Sequence, residues 1–233
     1  MLNSIRQMQN CEKNVDEKLL SPVELSKNKV ATLYTGPMAS GKTTAVITEI
    51  QKWGEQHAIV MIPQWDTRSK ASDGKPQLRT HDGKTANVKT IRINKLEDVE
   101  IPMEKLIIIE EAFKYLPVNL IKLITTLRTH EKTILLTGLQ RNLRGEEMKY
   151  LEPLEKADVK IIILETSCEE NVIEDGKIRR CGKITHADCL RQAYLENTSQ
   201  INLVGGKEKY ISLCKAHLKA HVTKNEEKIP KNA

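Results

Sequence analysis

A chain of 233 residues has room for one sizeable domain and a smaller module. With 29% charged and 39% hydrophobic residues, its composition is typical of a soluble globular protein. No apolar run approaches the roughly 18 residues of a membrane helix, and the polar N-terminus has no signal-peptide core. These features exclude a membrane protein and predict an intracellular, cytoplasmic one.

The net charge of +6 suits a protein that binds anionic nucleotides or nucleic acid. Nucleic acid is the weaker interpretation, because aromatic residues make up only 3% of the chain, Phe113 is the single Phe, and the lysines are dispersed. The five cysteines are an odd number for a reducing compartment, which favours metal ligation or burial over disulfides. Cys11 is interpreted as an ordinary free thiol.

The chain begins with a polar extension, residues 1–28, to which we assign no function. Residues 30–34 then read as a buried strand, and residues 45–50 as part of a helix. Between them lies a match to G-x-x-x-x-G-K-[ST] at every fixed position, Gly36-Pro37-Met38-Ala39-Ser40-Gly41-Lys42-Thr43.

This pattern is that of a phosphate-binding loop, and its position between a strand and a helix supports the match. The glycines let backbone N–H groups turn inward to bind an anion, and the helix points its positive end at the phosphates. Lys42 can reach a transferred phosphate, and Thr43 supplies a hydroxyl for Mg²⁺. The sequence therefore predicts nucleotide binding.

Further along the chain, strands alternate with helices. Buried strands are predicted at 58–62, 106–109, 133–138 and 159–164, an alternating strand at 88–93, and a helix at 117–130. The polar stretch 66–87 is of a length that is usually functional or disordered. The alternation predicts an α/β domain with a mainly parallel sheet and helices on both faces.

The apolar strand 106–109 is followed by two acids, Glu110 and Glu111. After a phosphate loop, an acid at the end of such a strand can hold Mg²⁺ directly or through water. Glu110 would continue the strand and face the metal, and Glu111 would accept a proton from an attacking hydroxyl. The alternative interpretation is a strand that simply ends in two solvated charges. The phosphate loop upstream favours the interpretation as a metal and proton-accepting site.

Four of the five cysteines fall within a C-terminal stretch of about 50 residues. Cys214-Lys215-Ala216-His217 has a spacing that can offer two ligands to one zinc ion. Residues 172–178 read as a hairpin with an Asp-Gly turn, which would bring Cys168 and Cys181 together. We favour a Cys₃His zinc site over buried thiols, with Cys189 as the substitute if Cys168 is not a ligand.

The order of these motifs resembles that of the type II thymidine kinases. The motifs that carry the resemblance, over about residues 29–218, are the phosphate loop, Asp66-Thr67-Arg68, Thr80-His81-Asp82, Glu110-Glu111-Ala112, Gly138-Leu139 with Arg144-Gly145-Glu146, Cys181-Gly182-Lys183, Val204-Gly205-Gly206, Tyr210 and Cys214-Lys215-Ala216-His217.

The resemblance implies transfer of the γ-phosphoryl group of ATP to the 5′-hydroxyl of a deoxynucleoside, with Mg²⁺ and a structural Zn²⁺. By position, Arg68 and Arg144 would stabilise phosphate charge, Glu111 would be the general base, and Tyr210 would close over the nucleoside on a lasso loop. Magnesium would be held by Thr43, Asp66 and Glu110. The nucleoside would meet Asp66, Phe113, Leu143, Gly205 and Tyr210. A homotetramer or homodimer is also implied, as is feedback inhibition by the triphosphate end product.

Several positions depart from the family pattern. Glu110 replaces an Asp, and Phe113 and Lys114 replace a Gln and a Phe. Leu143 replaces a Phe, so an expected stacking ring is missing. Asp188 or Cys189 stands where many members have a base-contacting Thr. These changes predict an altered base pocket, with thymidine or deoxyuridine as the expected substrate.

We therefore predict a deoxynucleoside kinase with a nucleotide-binding domain at 29–166, a zinc and lasso lobe at 167–220 and a basic flexible tail at 221–233. A catalytically impaired nucleotide sensor is the alternative, because of the pocket departures. A phosphate-loop ATPase acting on nucleic acid ranks last.

Overall fold

The structure is a computed structural model that describes residues 31–64, 78–80, 83–190 and 209–225. By density of contacts the chain divides into two compact units. Among the described residues, the first unit comprises 31–35, most of 41–138, and 150–162. The second comprises 36–40, 139–149, 163–190 and 209–225. The predicted extension at 1–28 lies outside the described residues.

The first unit is built on a six-stranded sheet. In space the strands follow the order β5-β2-β6-β7-β1-β8, and the pairings from β5 through to β1 are all parallel. The predicted α/β class with a mainly parallel sheet is confirmed. The strands are β1 (Ala31–Thr35), β2 (Ala58–Pro63), β5 (Lys89–Ile93), β6 (Leu106–Ile109), β7 (Thr133–Gly138) and β8 (Val159–Ile163).

The central strands are buried along their whole length, as expected for a parallel sheet covered by helices. The register places Ile109 of β6 beside Leu136 of β7, and Leu136 beside Leu33 of β1. Parallel strands end at one common edge of a sheet, so the residues that follow β1 and β6 emerge at the same edge.

In the described part of this unit there are three helices: α1 (Lys42–Trp53), α2 (Pro117–Thr129) and α3 (Leu151–Lys156). Helix α2 starts with Pro117, whose fixed φ suits the first helical position. Its buried residues, Leu120, Leu123, Ile124 and Leu127, recur at spacings of three and four and so form one apolar face. Single 3₁₀ turns occur at Glu55–His57, Leu96–Asp98 and Ala112–Lys114.

Two features of the first unit differ from the predicted elements. A short ribbon, β3 (Leu78–Arg79) with β4 (Thr85–Ala86), lies within the predicted long polar stretch. Two-residue strands are too short to show a periodicity, so the sequence did not indicate them. Strand β6 ends at Ile109, so Glu110 follows the strand instead of continuing it, although its N–H still donates to Met61 O at 2.9 Å.

The described residues of the second unit form two antiparallel ribbons and a helix. Strands β9 (Asn171–Glu174) and β10 (Lys177–Arg180) form the predicted hairpin, and β11 (Ala187–Leu190) pairs with β12 (Tyr210–Leu213). Helix α4 (Lys215–Lys224) follows β12 and includes the first four residues of the predicted tail. A small core holds this unit together: Cys168, Ala187, Cys189, Leu213, Cys214 and Leu218.

Among the described residues, no helix has both the length and the apolar character needed to cross a membrane.

Gly138, the last residue of β7, is expected to tolerate no side chain. A Cβ there would overlap the hydroxyl of Tyr150, which is only 3% exposed. We expect Gly138→Ala to lower the free energy of unfolding by about 1–3 kcal/mol, the usual cost of overpacking. Urea unfolding measures the effect. Because Tyr150→Phe removes the overlapping oxygen, Gly138→Ala should cost less in a Tyr150→Phe background than in the wild type, whereas a Gly138→Ala protein as stable as the wild type would contradict this packing.

Candidate active site and metal centre

The phosphate loop takes a conformation that only its own residue types fit. Gly36 has φ 147°, and a Cβ on it would overlap the backbone oxygen of Leu164 and lie 2.9 Å from Ser40 Oγ. Ala39 is left-handed at φ 57°. Ser40 is 4% exposed, and its hydroxyl has no hydrogen-bond partner among the described residues. A buried hydroxyl left in this way is what a loop that awaits a phosphate oxygen would contain.

Lys42 and Thr43 begin helix α1, with Gly41 as the N-cap residue. The first backbone N–H groups of a helix have no partner within it, and together with the helix dipole they favour an anion. The first turn of α1 contains no acidic residue that would compete with a phosphate. Both side chains are partly exposed, so each can meet a ligand.

The two acids after β6 differ in their surroundings. Glu110 is 7% exposed, and a buried carboxylate of this kind is stable when it is paired or binds a metal. The backbone of Glu111 is left-handed at φ 57°, an uncommon conformation for a residue with a side chain. Its N–H donates to Thr137 Oγ1 at 3.3 Å, and its carbonyl accepts from the N–H of Lys114 at 2.9 Å. These bonds hold Glu111 in a strained conformation, which is more common at functional sites than elsewhere.

The charge of Glu111 acts on three neighbouring side chains. Burial lowers the pKa of Lys114, and the charge of Glu111 partly offsets that effect. Burial raises the pKa of Tyr115 well above its ordinary value, and Glu111 raises it further. The pKa of Tyr150 is also raised, by burial and by Glu111, against a hydrogen bond with Thr35. Glu111 therefore lies near two tyrosines that are held in their protonated forms.

Arg144 lies in a turn that is organised by Asn142. The Oδ1 atom of Asn142 accepts the backbone N–H of Arg144 and that of Glu146, both at 3.0 Å. The Asn142 amide donates to Glu146 Oε2 at 2.9 Å, and the guanidinium of Arg141 donates to Gly145 O at 3.0 Å. An Asn that bonds the backbone two residues on forms a turn of this kind. These hydrogen bonds together fix the backbone on which Arg144 stands.

Three cysteines and a histidine meet in the second unit. The ligand atoms of Cys168, Cys181, Cys214 and His217 all lie within 4.8 Å of one another. Nδ1 of His217 is 3.4 Å from the sulfur of Cys168 and 3.4 Å from that of Cys214, and the sulfurs of Cys181 and Cys214 are 4.0 Å apart.

These distances fit a tetrahedral zinc ion. Zinc–sulfur bonds of about 2.3 Å and a zinc–nitrogen bond of about 2.0 Å set ligand separations of about 3.8 Å between sulfurs and 3.6 Å between sulfur and nitrogen. Hairpin β9–β10 brings the first two cysteines together, since the N–H of Gly182 donates to Cys168 O and that of Cys181 to Glu170 O. Cys189, the substitute ligand in the sequence analysis, lies outside the group, and its sulfur contacts Leu143 O at 3.4 Å.

Thiolates are the form of cysteine that binds a metal, and Cys214 is placed to ionise. Burial opposes its ionisation, but the N–H of His217, the neighbouring thiols and the N–H of Ala216 outweigh it and lower the pKa. Cys214 is the N-cap residue of α4, where helix N–H groups stabilise a negative charge. Burial raises the pKa of Cys168 to about 11, so a metal would have to displace its proton.

The structure places the other predicted site residues as follows. Phe113 is partly buried in the 3₁₀ turn after Glu111, with the Lys114 ammonium 4.9 Å from its ring centre. Leu143 lies next to Arg144 in the Asn142 turn, and Tyr210 begins β12, paired with Leu190. Asp66, Arg68 and Gly205 lie outside the described residues.

Sequence reasoning did not single out Thr137, Tyr150 or Asn142. Thr137 accepts the N–H of Glu111 and Tyr150 has its pKa raised by Glu111, from positions 26 and 39 residues away in the chain, and no local pattern marks such an interaction. Asn142 carried a usable signal, because an Asn two residues before an Arg-Gly pair is typical of a turn.

Comparison with known proteins identifies the family. A family model described as Thymidine kinase matches residues 30–218. The thymidine kinase of Pseudothermotoga lettingae is 27% identical over 201 residues, which cover 84% of this chain and 97% of that protein. The thymidine kinase of Mycoplasmoides gallisepticum is 25% identical over 190 residues, 79% of this chain and 78% of that one.

Among solved structures, the large terminase of a thermophilic bacteriophage aligns with a TM-score of 0.37 at 11% identity. The alignment covers 60% of this chain and 41% of the terminase, and at this level it supports no conclusion about fold or function. The family match, in contrast, spans most of the chain. The protein therefore belongs to the thymidine kinase family and is a phosphotransferase of the kinase type.

Proposed function

We propose that the protein transfers the γ-phosphoryl group of ATP to the 5′-hydroxyl of thymidine or deoxyuridine and so supplies a 5′-monophosphate for DNA synthesis. Family membership supports a nucleoside kinase that uses ATP and a divalent metal ion. The single observation that supports the chemistry best is the common sheet edge, where α1 with Lys42 and Thr43 follows β1 and the two acids follow β6.

Phosphoryl transfer needs positioning and neutralisation of charge more than covalent chemistry by the protein. In this proposal the loop N–H groups and Lys42 hold the phosphates, and Arg68 and Arg144 stabilise the charge on the transferred group. The hydroxyl of Thr43 and the carboxylates of Glu110 and Asp66 are oxygen ligands of the kind that Mg²⁺ prefers.

Glu111 would take the proton of the 5′-hydroxyl as that oxygen attacks phosphorus and the bond to ADP breaks. Its carboxylate can accept this proton, and the neighbouring Tyr115 and Tyr150 stay protonated because burial and the charge of Glu111 raise their pKa. Phe113, Leu143, Gly205 and Tyr210 would contact the nucleoside. A cytoplasmic location remains a prediction from the sequence features, and a homotetrameric or homodimeric state a prediction from the resemblance.

The cysteine and histidine group would hold one structural zinc ion. Its four ligand atoms fit the ion, and zinc ligation would join the hairpin β9–β10 to the start of α4.

The test is an assay of the purified protein with Mg²⁺-ATP against a panel of nucleosides, in which 5′-monophosphate formation is measured. We expect a product from thymidine or deoxyuridine, and none from a Lys42→Ala variant. A product from a different nucleoside only would support the proposed reaction and would show that the departures in the base pocket change the preferred base. No product from any nucleoside, with ATP still bound, would favour the sensor alternative, which the family match does not support.

A further inference from the structure

A buried acid links the phosphate loop to the β11–β12 ribbon. Asp188 on β11 is 5% exposed. Its Oδ2 accepts the backbone N–H of Met38, in the phosphate loop, at 2.6 Å. Its Oδ1 accepts the hydroxyl of Ser212, its cross-strand partner on β12, also at 2.6 Å. Asp188 and Met38 are 150 positions apart in the chain, so this contact is a product of the tertiary fold.

Burial of a carboxylate is costly unless donors satisfy its oxygens. Here each oxygen has a short bond from a donor, and hydrogen bonds to a charged acceptor are about twice as strong as neutral ones. Burial, and then the neighbouring Asp188, raise the pKa of the adjacent Cys189 to about 12. The acid therefore has a hydrogen-bond donor on each of its two oxygens.

The bond to Met38 has a consequence for the loop. Phosphate loops bind anions through inward-pointing backbone N–H groups. The N–H of Met38 is directed to the protein's own carboxylate, so it is not one of the groups that meet the phosphates. The bond fixes the first half of the loop, next to Ala39 in its left-handed conformation, before any nucleotide arrives.

The acid is in turn held by the ribbon. The hydroxyl of Ser212 holds one carboxylate oxygen of Asp188. The backbone N–H of Ser212 donates to the carboxylate of Glu169, and the N–H of Glu169 donates to Ser212 O at 2.8 Å. Glu169 follows Cys168, and Ser212 lies two residues before Cys214. Asp188 thus belongs to the same hydrogen-bonded framework that carries the cysteine and histidine group.

We propose that Asp188 is a positioning residue that presets the phosphate loop for nucleotide binding through Met38, with Ser212 orienting its carboxylate. The expected effect on ATP binding rests on the proposed function, whereas the expected effect on the backbone of the phosphate loop does not. An acid that only stabilised the ribbon would affect stability and leave the loop and its ligand unchanged.

The first test measures amide hydrogen exchange of Met38 in the nucleotide-free protein. We expect Asp188→Ala to speed that exchange by about tenfold or more, the factor that corresponds to one hydrogen bond to a charged group. Asp188→Asn keeps an acceptor oxygen and should give an intermediate rate, as should Ser212→Ala. Thr185→Ala is the matched control, because Thr185 is a buried hydroxyl near the ribbon with no hydrogen-bond partner among the described residues, and it should leave Met38 unchanged.

The second test compares KM for ATP with kcat. Presetting of the loop predicts that Asp188→Ala raises KM for ATP by about tenfold while kcat changes much less, and that Asp188→Asn recovers part of the loss. If the wild type forms no monophosphate, the proposed function fails, and the effect of Asp188→Ala is then measured as ATP affinity by calorimetry instead of as KM. A failure of the proposed function is therefore distinguished from a failure of this inference.

Equal Met38 exchange in Asp188→Ala and Thr185→Ala would overturn the proposal. Faster exchange with unchanged ATP affinity would also overturn it, because the acid would then be a stability residue only. If Asp188→Ala does not fold, Asp188→Asn and Ser212→Ala decide the question by the same two readouts.

Discussion

Glu111→Gln is expected to abolish nucleoside phosphorylation and to leave ATP binding intact. The amide has the shape of the carboxylate but cannot accept the proton of the 5′-hydroxyl, and general-base catalysis typically contributes about 10²–10⁴-fold. The left-handed backbone and the bond to Thr137 do not depend on the side-chain charge, so the variant should fold as the wild type does. Initial rates at saturating ATP and nucleoside, with ATP affinity measured separately, give the result.

Glu110→Gln is the matched comparison, because it makes the same chemical change one residue earlier. If Glu110 helps to hold Mg²⁺, this variant should need more Mg²⁺ for half-maximal activity and recover at high concentration, whereas Glu111→Gln should not. A Glu111→Gln enzyme that keeps most of its rate would show that the base is another group. Recovery of Glu111→Gln by Mg²⁺ would move that residue to the metal site.

The wild-type protein is expected to bind about one zinc ion per chain, and Cys214→Ser is expected to lose most of it. Removal of a partner that only orients a metal ligand already costs about 10–100-fold in metal affinity, so loss of a ligand itself should cost more. Structural zinc also contributes free energy of folding, so the variant and the chelated wild type should both unfold at a lower temperature. Metal content of the purified protein and thermal unfolding measure the two effects.

Cys189→Ser is the control for this experiment. Cys189 is also a buried thiol of the same core, but its sulfur lies outside the group of four, so this variant should keep its zinc. Cys168→Ser should behave as Cys214→Ser does. A metal-free wild type would refute the zinc site. Loss of zinc from Cys189→Ser, with zinc retained in Cys168→Ser, would show that Cys189 is the ligand in place of Cys168.

Local sequence was enough for the elements whose signal lies within a few residues. The phosphate loop is fixed by residue types at set positions, because glycine permits the backbone at Gly36 and the first turn of α1 must follow directly. The buried strands were predicted from short apolar runs. The Asp175-Gly176 pair predicted the hairpin, because these residue types tolerate the positive φ that the turn requires and that both have in the structure. From that hairpin the meeting of Cys168 with Cys181 could also be predicted.

The tertiary structure decided the contacts between distant parts of the chain. No local pattern in the sequence indicates the strand order in the sheet or the choice of Cys168 over Cys189 in the group of four. The same holds for the approach of Tyr150 to Gly138 and for the hydrogen bond from Met38 to Asp188, which connect residues far apart in the chain. Such contacts depend on which surfaces pack together, and periodicity says only that a surface is apolar. The sequence by itself thus determined the α/β class and the residue types of the site, and packing determined which of those residues meet.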